Sequence, residues 1–160
     1  MSTNRCHAAA LRLLGYRFRG SEELRRKLRD KGFDADAITE AIDQLTREGW
    51  IDDLRFAREL VRSRAQKGIG PKRIALELWE LGIDSEVARE AMRESEEEPR
   101  GEGALGVARK RLRILARGVE ANSLPAEEIR KKLLAYLLRQ GYEYAAAREA
   151  VDVALSNEKD

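Results

Sequence analysis

The sequence predicts an all-α protein in which three tandem three-helix repeats form an elongated, curved body. Apolar residues recur three and four positions apart, and the 160 residues include only three prolines and 6% aromatic residues, which favours helices over a β-sandwich. One pattern also occurs three times: two apolar residues four apart, then a glycine and a large apolar residue. Its copies are Leu24, Leu28 and Gly32-Phe33; Ile74, Leu78 and Gly82-Ile83; and Leu133, Leu137 and Gly141-Tyr142.

The first repeat is predicted to span residues 1–49, and its first helix Asn4–Gly15. Ser21 is the expected N-cap of the second helix, because a serine oxygen can accept a hydrogen bond from the free N–H groups of a first turn. Gly32 ends that helix, and Gly49 ends the third. The residues expected to face the core are Leu11, Leu14, Leu24, Leu28, Ile38, Ala41, Ile42 and Leu45.

The second repeat is predicted to span residues 50–94, and the stretch 49–57 connects it to the first. Pro71 is expected at the first position of its second helix, where the missing N–H of proline costs no hydrogen bond. The carboxylates expected to cap helices here are Asp34 or Asp36, Asp52 or Asp53, and Asp84. The expected core residues are Phe56, Ala57, Leu60, Val61, Ile74, Leu78, Val87, Ala88, Ala91 and Met92.

Residues 95–106 are predicted to be a flexible linker, because they are acidic and contain glycine. The third repeat is predicted over residues 107–156. Its second helix, or the loop before that helix, is expected to be about two turns longer than in the other repeats, because its apolar pattern begins later. Its expected core residues are Leu133, Leu137, Ala147, Ala150, Val151 and Leu155.

The formal net charge of +2 conceals an uneven distribution. First and second helices tend to be basic and third helices acidic: Asp34–Glu48 has one basic and five acidic residues, whereas Gly103–Arg117 has five basic residues. If the repeats stack regularly, the basic residues form one stripe suited to phosphates or an acidic protein groove. The alternative is a solvated surface with i,i+4 ion pairs. The stripe residues are Arg5, Arg12, Arg25, Arg26, Arg29, Arg55, Arg58, Arg62, Lys72, Arg73, Arg109, Lys110, Arg113 and Arg117.

Acidic third helices argue against a homeodomain-like DNA reader, whose third helix must enter the major groove between phosphates. Leu76 and Trp79 occupy positions equivalent to Arg26 and Arg29 on the outer side of a second helix. We expect them to pack against a neighbouring repeat. The alternative is an exposed anchor for a partner protein, a role in which tryptophan is over-represented.

The residue inventory does not support an enzyme. His7 is the only histidine and Cys6 the only cysteine, so a histidine-based triad, a zinc cluster and an intrachain disulfide are not expected. Asp52 and Asp53 are better explained as caps than as a catalytic pair, and a phosphate-binding P-loop motif is missing. We expect no cofactor. Without an apolar run of membrane-spanning length or a signal peptide, we expect a cytoplasmic protein that does not bind membranes.

Several stretches together resemble the RecX family of recombinase regulators, over about Leu11 to Val151. The most specific is Gly49-Trp50-Ile51-Asp52-Asp53-Leu54-Arg55-Phe56-Ala57. The others are Arg19-Gly20-Ser21-Glu22-Glu23-Leu24-Arg25-Arg26-Lys27-Leu28, Lys31-Gly32-Phe33, Gly70-Pro71-Lys72-Arg73-Ile74, Glu77-Leu78, Leu81-Gly82-Ile83 and Arg139-Gln140-Gly141-Tyr142.

The resemblance implies a fold of tandem three-helix repeats and a non-enzymatic role in DNA recombination, DNA repair and the SOS response. It implies that the chain binds the RecA filament on single-stranded DNA and inhibits its ATPase and strand exchange. We expect the chain to be a monomer. Direct contact with single- or double-stranded DNA is compatible with the basic stripe. Two other functions stay open: a general nucleic-acid binder acting without the recombinase, and a helical scaffold that uses Leu76 and Trp79.

Overall fold

Nine α-helices make up the part of the chain that the structure, a computed structural model, describes: residues 2–97, 101–117 and 125–156. No β-strand occurs in these ranges, so the predicted all-α class is confirmed. The helices are α1 (Ser2–Tyr16), α2 (Ser21–Asp30), α3 (Ala35–Arg47), α4 (Asp53–Gln66), α5 (Pro71–Glu80), α6 (Ser85–Glu97), α7 (Gly103–Arg117), α8 (Ala126–Gln140) and α9 (Tyr144–Ser156).

The chain forms two compact units. Unit 1 takes Met1–Glu59 and Glu77–Arg93, and unit 2 takes Leu60–Leu76 and Glu94–Asp160. The second predicted repeat therefore contributes residues to both units, through α4, α5 and α6. The division into three repeats at residues 49, 94 and 106 stays a prediction.

The core of unit 1 lies between α1, α2 and α3. The leucines and isoleucines predicted for α2 and α3 are all buried. On α1, Leu11 and Leu14 share one face as predicted, and both are partly buried and pack against this core. Small residues there let the helices approach closely, and α1 contributes Cys6, Ala9 and Ala10 to the buried core. Burial raises the pKa of the Cys6 thiol above its ordinary value, as does the negative charge of Asp34.

Acidic side chains of α3 and its flanks bind polar side chains of α1. Ser2 Oγ donates to Asp34 Oδ2 at 3.1 Å, and Thr3 Oγ1 donates to Glu40 Oε2 at 2.8 Å. Asp34 also caps α3, since its Oδ1 accepts from the Ala37 N–H at 2.8 Å. These hydrogen bonds, the one from Ala37 first, lower the pKa of Asp34. Of the two predicted caps, Asp34 is therefore the one used.

The expected N-cap at Ser21 was wrong. Gly20 holds the N-cap position of α2, and Ser21 is the first helical residue. The carboxylate of Asp53 replaces the missing cap: Oδ1 accepts from the Ser21 N–H at 2.7 Å, and Oδ2 accepts from Ser21 Oγ at 2.5 Å. Asp52 caps its own helix, because its Oδ1 accepts from the Arg55 N–H at 2.9 Å. The two neighbouring aspartates therefore cap two different helices of unit 1.

A buried ion pair joins α1 to α2. Arg19 Nη1 donates to Glu23 Oε1, and both side chains are about nine-tenths buried. Arg19 Nε also donates to the Leu13 carbonyl at 3.1 Å. Arg17 Nη2 donates to the same Glu23 oxygen at 2.6 Å, but its side chain is 54% exposed. The guanidinium of Arg19 thus ties the end of α1 to the first turn of α2.

The core of unit 2 lies between α7, α8 and α9, and every core residue predicted for its last two helices is buried except Leu155, which is partly buried. It is completed by Val107, Ala108, Leu112, Tyr142 and Ala154. The helix α8 has 15 residues, whereas α2 and α5 have 10 each. A longer second helix, one of the two predicted alternatives, thus accounts for at least part of the later start of the apolar pattern in the third repeat. The loop alternative falls on residues 118–124, which lie outside the described residues.

The start of α5 packs against the end of α8 within unit 2. The N–H of Gly70 donates to the Gln140 carbonyl at 2.7 Å, and the N–H of Lys72 donates to the Gly141 carbonyl at 3.0 Å. Backbone N–H groups left unpaired at the start of α5 thus donate to backbone carbonyls left unpaired at the end of α8. The left-handed φ of Gly141, +94°, and the close approach at Gly70 make this junction possible.

The helices extend further into the predicted linker than the sequence indicated. Residues 95–97 continue α6, and residues 103–106 form the first turn of α7. Alanine and leucine after Gly103 favour helix, and the acidic residues before 98 are themselves good helix formers. Residues 98–100 of the predicted linker lie outside the described residues.

Candidate functional site

The most basic helix surface in unit 2 is on α7. Arg109, Lys110, Arg113 and Arg117, here called the α7 basic face, fall within an arc of roughly 100° on the helix. All four are exposed, and the buried residues of α7 lie on the opposite side. A fifth cation, Arg111, lies outside the arc and places its guanidinium 4.9 Å from the centre of the Tyr136 ring.

The α7 basic face borders a shallow groove lined by Glu102, Leu105, Gly106, Arg109 and Arg113. Glu102 Oε1 lies 2.9 Å from Lys110 Nζ. Neither Arg109 nor Arg113 makes an ion pair or a hydrogen bond with its side chain in the part of the chain that the structure describes. Their guanidinium groups therefore have donors available for an anion.

Two further cations of unit 2 belong to the junction between α5 and α8. Lys72 Nζ lies 2.9 Å from Glu143 Oε2, and Arg73 Nη1 donates to the Arg139 carbonyl at 3.4 Å. Both side chains are exposed. Because both already contact groups at or just after the end of α8, fewer of their donors are available for an external anion.

In unit 1 the predicted cations of α2 lie on one side of that helix. Arg25, Arg26 and Arg29 fall within an arc of roughly 100°, away from Leu24 and Leu28. Arg26 and Arg29 are exposed and Arg25 is partly buried. Arg25 Nη1 donates to Thr39 Oγ1 at 3.3 Å, and Arg26 Nη2 reaches the carbonyl of Glu80 at 3.5 Å.

The predicted cations of α4 and α1 are all exposed. Arg55, Arg58 and Arg62 fall within roughly 60° on α4. The guanidinium of Arg55 lies 5.6 Å from the centre of the Phe18 ring, which in turn packs against Phe56. On α1 the exposed cations are Arg5 and Arg12.

The fourteen predicted stripe residues divide equally, with seven in each unit. Ten of them form separate faces of α2, α4 and α7, while Arg5 and Arg12 lie on α1 and Lys72 and Arg73 lie at the start of α5. Their alignment into a single stripe stays a prediction, as does their role in binding.

The expectation that Leu76 and Trp79 pack against a neighbouring repeat was wrong. Leu76 is 53% exposed and Trp79 is 74% exposed. The short helix α5 buries Ile74 and Leu78 instead, and the helical period places Leu76 and Trp79 on its other side. Their alternative role as a contact for a partner protein stays a prediction.

The sequence analysis missed Glu102 in the groove and Phe18 under Arg55. No periodic pattern marks Glu102, because it lies in a glycine-containing stretch whose composition predicted a flexible linker. Among the described residues, no group of three or more histidine, cysteine or acidic side chains could hold a metal ion. None of the described helices has the length and apolar character that crossing a bilayer requires.

Two sequence models of known families match this chain. The model of the first three-helix domain of RecX matches residues 6–45, and the model of the second three-helix domain of RecX matches residues 52–92. The two matches lie within the first two predicted repeats. They cover all of α2, α4 and α5 and most of α1, α3 and α6.

Curated relatives carry the name Regulatory protein RecX. The one from Mycolicibacterium smegmatis (strain ATCC 700084 / mc(2)155) is 33% identical over 153 residues, covering 94% of this chain and 79% of that protein. The one from Xanthomonas oryzae pv. oryzae (strain MAFF 311018) is 49% identical over 83 residues, covering 52% of each. The match thus spans about half the length of this Xanthomonas relative.

Solved structures share the fold. The crystal structure of RecX from Lactobacillus salivarius superimposes with a TM-score of 0.80 at 25% identity, covering 98% of this chain and 96% of that one. A second crystal structure, of a regulatory protein RecX, gives a TM-score of 0.77 at 20% identity and covers 94% of this chain and 72% of that one. The second likeness concerns the fold alone.

Proposed function

Because this chain belongs to the RecX family, we propose that it is a non-catalytic regulator that binds the RecA filament on single-stranded DNA. Bound there, it suppresses ATP hydrolysis and strand exchange by the recombinase. It acts as a monomer in the cytoplasm and needs no cofactor. Its contacts are the basic helix faces of both units.

The observation that carries this proposal is the α7 basic face. It presents four exposed cations on one side of a helix, and two of them, Arg109 and Arg113, have no ion-pair partner among the described residues. Such a row of guanidinium groups fits the phosphates of a nucleic-acid strand or a groove lined with carboxylates. A nucleoprotein filament offers both.

Inhibition follows from binding at several places along the filament. Each basic face alone makes a weak, salt-sensitive contact, because exposed charges are well screened. Contacts made by one chain at successive filament positions reinforce one another through effective concentration. A chain held in this way opposes the movements of recombinase subunits that ATP hydrolysis and strand exchange require.

The test is single-strand-dependent ATP hydrolysis by the recombinase. Sub-stoichiometric wild-type chain should lower the rate, and Arg109→Glu with Arg113→Glu should require on the order of ten times more protein for the same effect. Arg148→Glu is the control, since Arg148 is an exposed cation of unit 2 on α9, outside the predicted set. An unchanged rate with equimolar wild-type chain would contradict the proposal.

Leu76 and Trp79 are proposed to contact the recombinase rather than DNA. The exposure of Trp79 supports this, because tryptophan is enriched among the residues that carry most of the binding energy in protein interfaces. Trp79→Ala should weaken binding to the filament and leave binding to bare DNA unchanged. Equal loss on both partners would remove this contact from the proposal.

A general nucleic-acid binder that acts without the recombinase is the second candidate. The available donors of Arg109 and Arg113 favour it equally. It requires salt-steep binding to bare strands with no change in recombinase ATPase. A scaffold that uses only Leu76 and Trp79 would instead tolerate charge reversal on α7. Arg58 and Arg62 are less suitable for this comparison, because both already take part in other interactions.

A further inference from the structure

We propose that the carboxylate of Glu102 occupies the Lys110 end of an anion site on the α7 basic face and competes there with a nucleic-acid phosphate. The site is the groove bordered by Arg109, Lys110 and Arg113. Its occupant is a phosphate of a single strand, and the carboxylate of Glu102 takes its place in the unbound chain. The inference rests on the phosphate contacts of the proposed function.

The Glu102 carboxylate contacts one cation, Lys110, beside the groove. Oε1 lies 2.9 Å from Lys110 Nζ, a charge-assisted contact of ordinary length. The same side chain lines the groove together with Arg109 and Arg113. A carboxylate and a phosphate oxygen accept hydrogen bonds from the same ammonium and guanidinium groups, so they compete for this position.

Glycines keep Glu102 in this position. A Cβ added at Gly106 would overlap the Glu102 Cβ and would lie 3.1 Å from Glu102 Oε2. The Glu102 side chain can lie against the helix at this point only because residue 106 has no side chain. On the other side, a Cβ at Gly101 would lie 2.7 Å from the Ala65 carbonyl oxygen. The Gly106 N–H also donates to the Glu102 carbonyl at 3.0 Å. The segment is therefore held against unit 2 by close backbone approaches.

The contact is weak enough to be displaced. The side chains of Glu102 and Lys110 are 51% and 57% exposed, and exposed ion pairs contribute little in water. Glu102 therefore sets the affinity of the α7 basic face rather than closing it. A strand that places a phosphate beside Lys110 gains one cation contact only after the carboxylate has moved away.

The first test is a titration of a fluorescently labelled single-stranded oligonucleotide without recombinase, using the full chain. Glu102→Gln should bind about two to five times more tightly, the scale of one exposed charge contact. The slope of log affinity against log salt should become steeper by about 0.7, the value for one added phosphate contact on a single strand. Glu128→Gln, which removes the same charge opposite Lys131 on α8, should change neither quantity appreciably.

The second test shifts residue 102 without changing any charge. In Gly106→Ala the new methyl group would lie 2.2 Å from the Glu102 Cβ, an atom fixed to the backbone, so residue 102 itself must move. Oligonucleotide binding should tighten, because the contact between the Glu102 carboxylate and Lys110 is then lost. In a Lys110→Gln background, Glu102→Gln should give little further gain. A carboxylate that only stabilised the start of α7 would alter the thermal midpoint and leave affinity and salt slope unchanged.

The oligonucleotide titrations can contradict this inference in several ways. Unchanged affinity in both Glu102→Gln and Gly106→Ala, or an equal gain in Glu128→Gln, would overturn the inference. It would also be overturned if wild-type and Glu102→Gln chains both failed to bind the oligonucleotide at low salt. If the oligonucleotide results hold and recombinase ATPase is unaffected, the proposed function fails while the anion site stands.

Discussion

Arg19 and Glu23 are the two buried charged residues of unit 1 among those described. Burying an ion pair costs desolvation free energy, which the attraction between the partners offsets only when the geometry is good. Glu23 Oε2 has no hydrogen-bond partner among the described residues, so the stability of the pair depends on what Oε1 accepts. Oε1 accepts from the buried Arg19 and from the more exposed Arg17.

Removing the buried partner should cost far more than removing the exposed one. Arg19→Leu leaves the Glu23 carboxylate buried with only the Arg17 contact, and should lower the free energy of unfolding by about 3 kcal/mol. The control, Arg17→Leu, should cost less than about 1 kcal/mol. Urea unfolding followed by circular dichroism measures both.

A double change separates the charge from the packing. Arg19→Leu with Glu23→Leu removes both charges and should recover most of the stability lost in Arg19→Leu alone. If Arg19→Leu and Arg17→Leu unfolded at the same urea concentration, the account of the buried pair would be wrong.

At the scale of elements, helix ends organise both units. In unit 2 the first N–H groups of α5 donate to carbonyls at the end of α8. In unit 1 the carboxylate of Asp53 at the start of α4 accepts from the first residue of α2. Groups that a helix leaves unpaired are thus satisfied by another helix rather than by a side chain of the same turn.

The junction between α5 and α8 leaves no space for a side chain at Gly70. A Cβ there would lie 2.5 Å from the Tyr142 nitrogen and 2.6 Å from the Gly141 oxygen, both backbone atoms that cannot rotate away. Gly70→Ala should therefore destabilise the protein by about 1–3 kcal/mol in thermal or chemical unfolding.

Gly15 provides the opposite case. It lies in α1, and a Cβ added there would meet no atom within 4 Å. Gly15→Ala should stabilise the protein by about 0.5–1 kcal/mol, because alanine is the better helix former. If the two alanine variants had effects of the same sign, the description of the junction would be refuted.

For the whole molecule, we expect basic residues of both units to contribute to filament binding. Charge reversal of Arg26 and Arg29 in unit 1, or of Arg109 and Arg113 in unit 2, should each weaken filament binding. Reversing all four should weaken it by a factor on the order of 100 or more, because the two faces act through effective concentration. Fluorescence anisotropy with labelled filaments measures each variant.

The control for that series is reversal of Arg89 and Arg93 on α6, which pair with Glu86 and Glu90 of the same helix. This double variant has the same charge change and should bind the filament nearly as the wild type does. Full binding by the unit 1 variant would show that only unit 2 makes contact.

Local spacing predicted most of the fold, because a helical core depends on neighbours three and four positions apart. Leu24, Leu28, Leu133 and Leu137 are all fully buried as predicted. The cap of α2 could not be predicted in this way, since its acceptor, Asp53, lies 32 positions further along the chain. Ser21 fits the local sequence preference for an N-cap, but the acceptor at the start of α2 is the distant Asp53.

The sequence predicted which cations are exposed, but not how the side chains of the candidate site contact one another. The sequence identified which cations lie on outer helix faces, and thirteen of the fourteen are exposed. It could not show that Lys110 has a carboxylate partner, because Glu102 belongs to a segment predicted to be a flexible linker. A close approach between backbone and side chain, as at Gly106, has no periodic signature.

The hydrogen bonds between Asp53 and Ser21 have a consequence for synthesis on the ribosome. The residues of α1, α2 and α3 leave the ribosome before Asp53, whose carboxylate accepts hydrogen bonds from Ser21 at the start of α2. The first turn of α2 therefore gains these hydrogen bonds only after Asp53 has been synthesised. A fragment ending at Gly49 should therefore show a frayed second helix in amide exchange. A shortened protein of three helices would therefore need another acceptor at the start of α2 to keep that helix end equally stable.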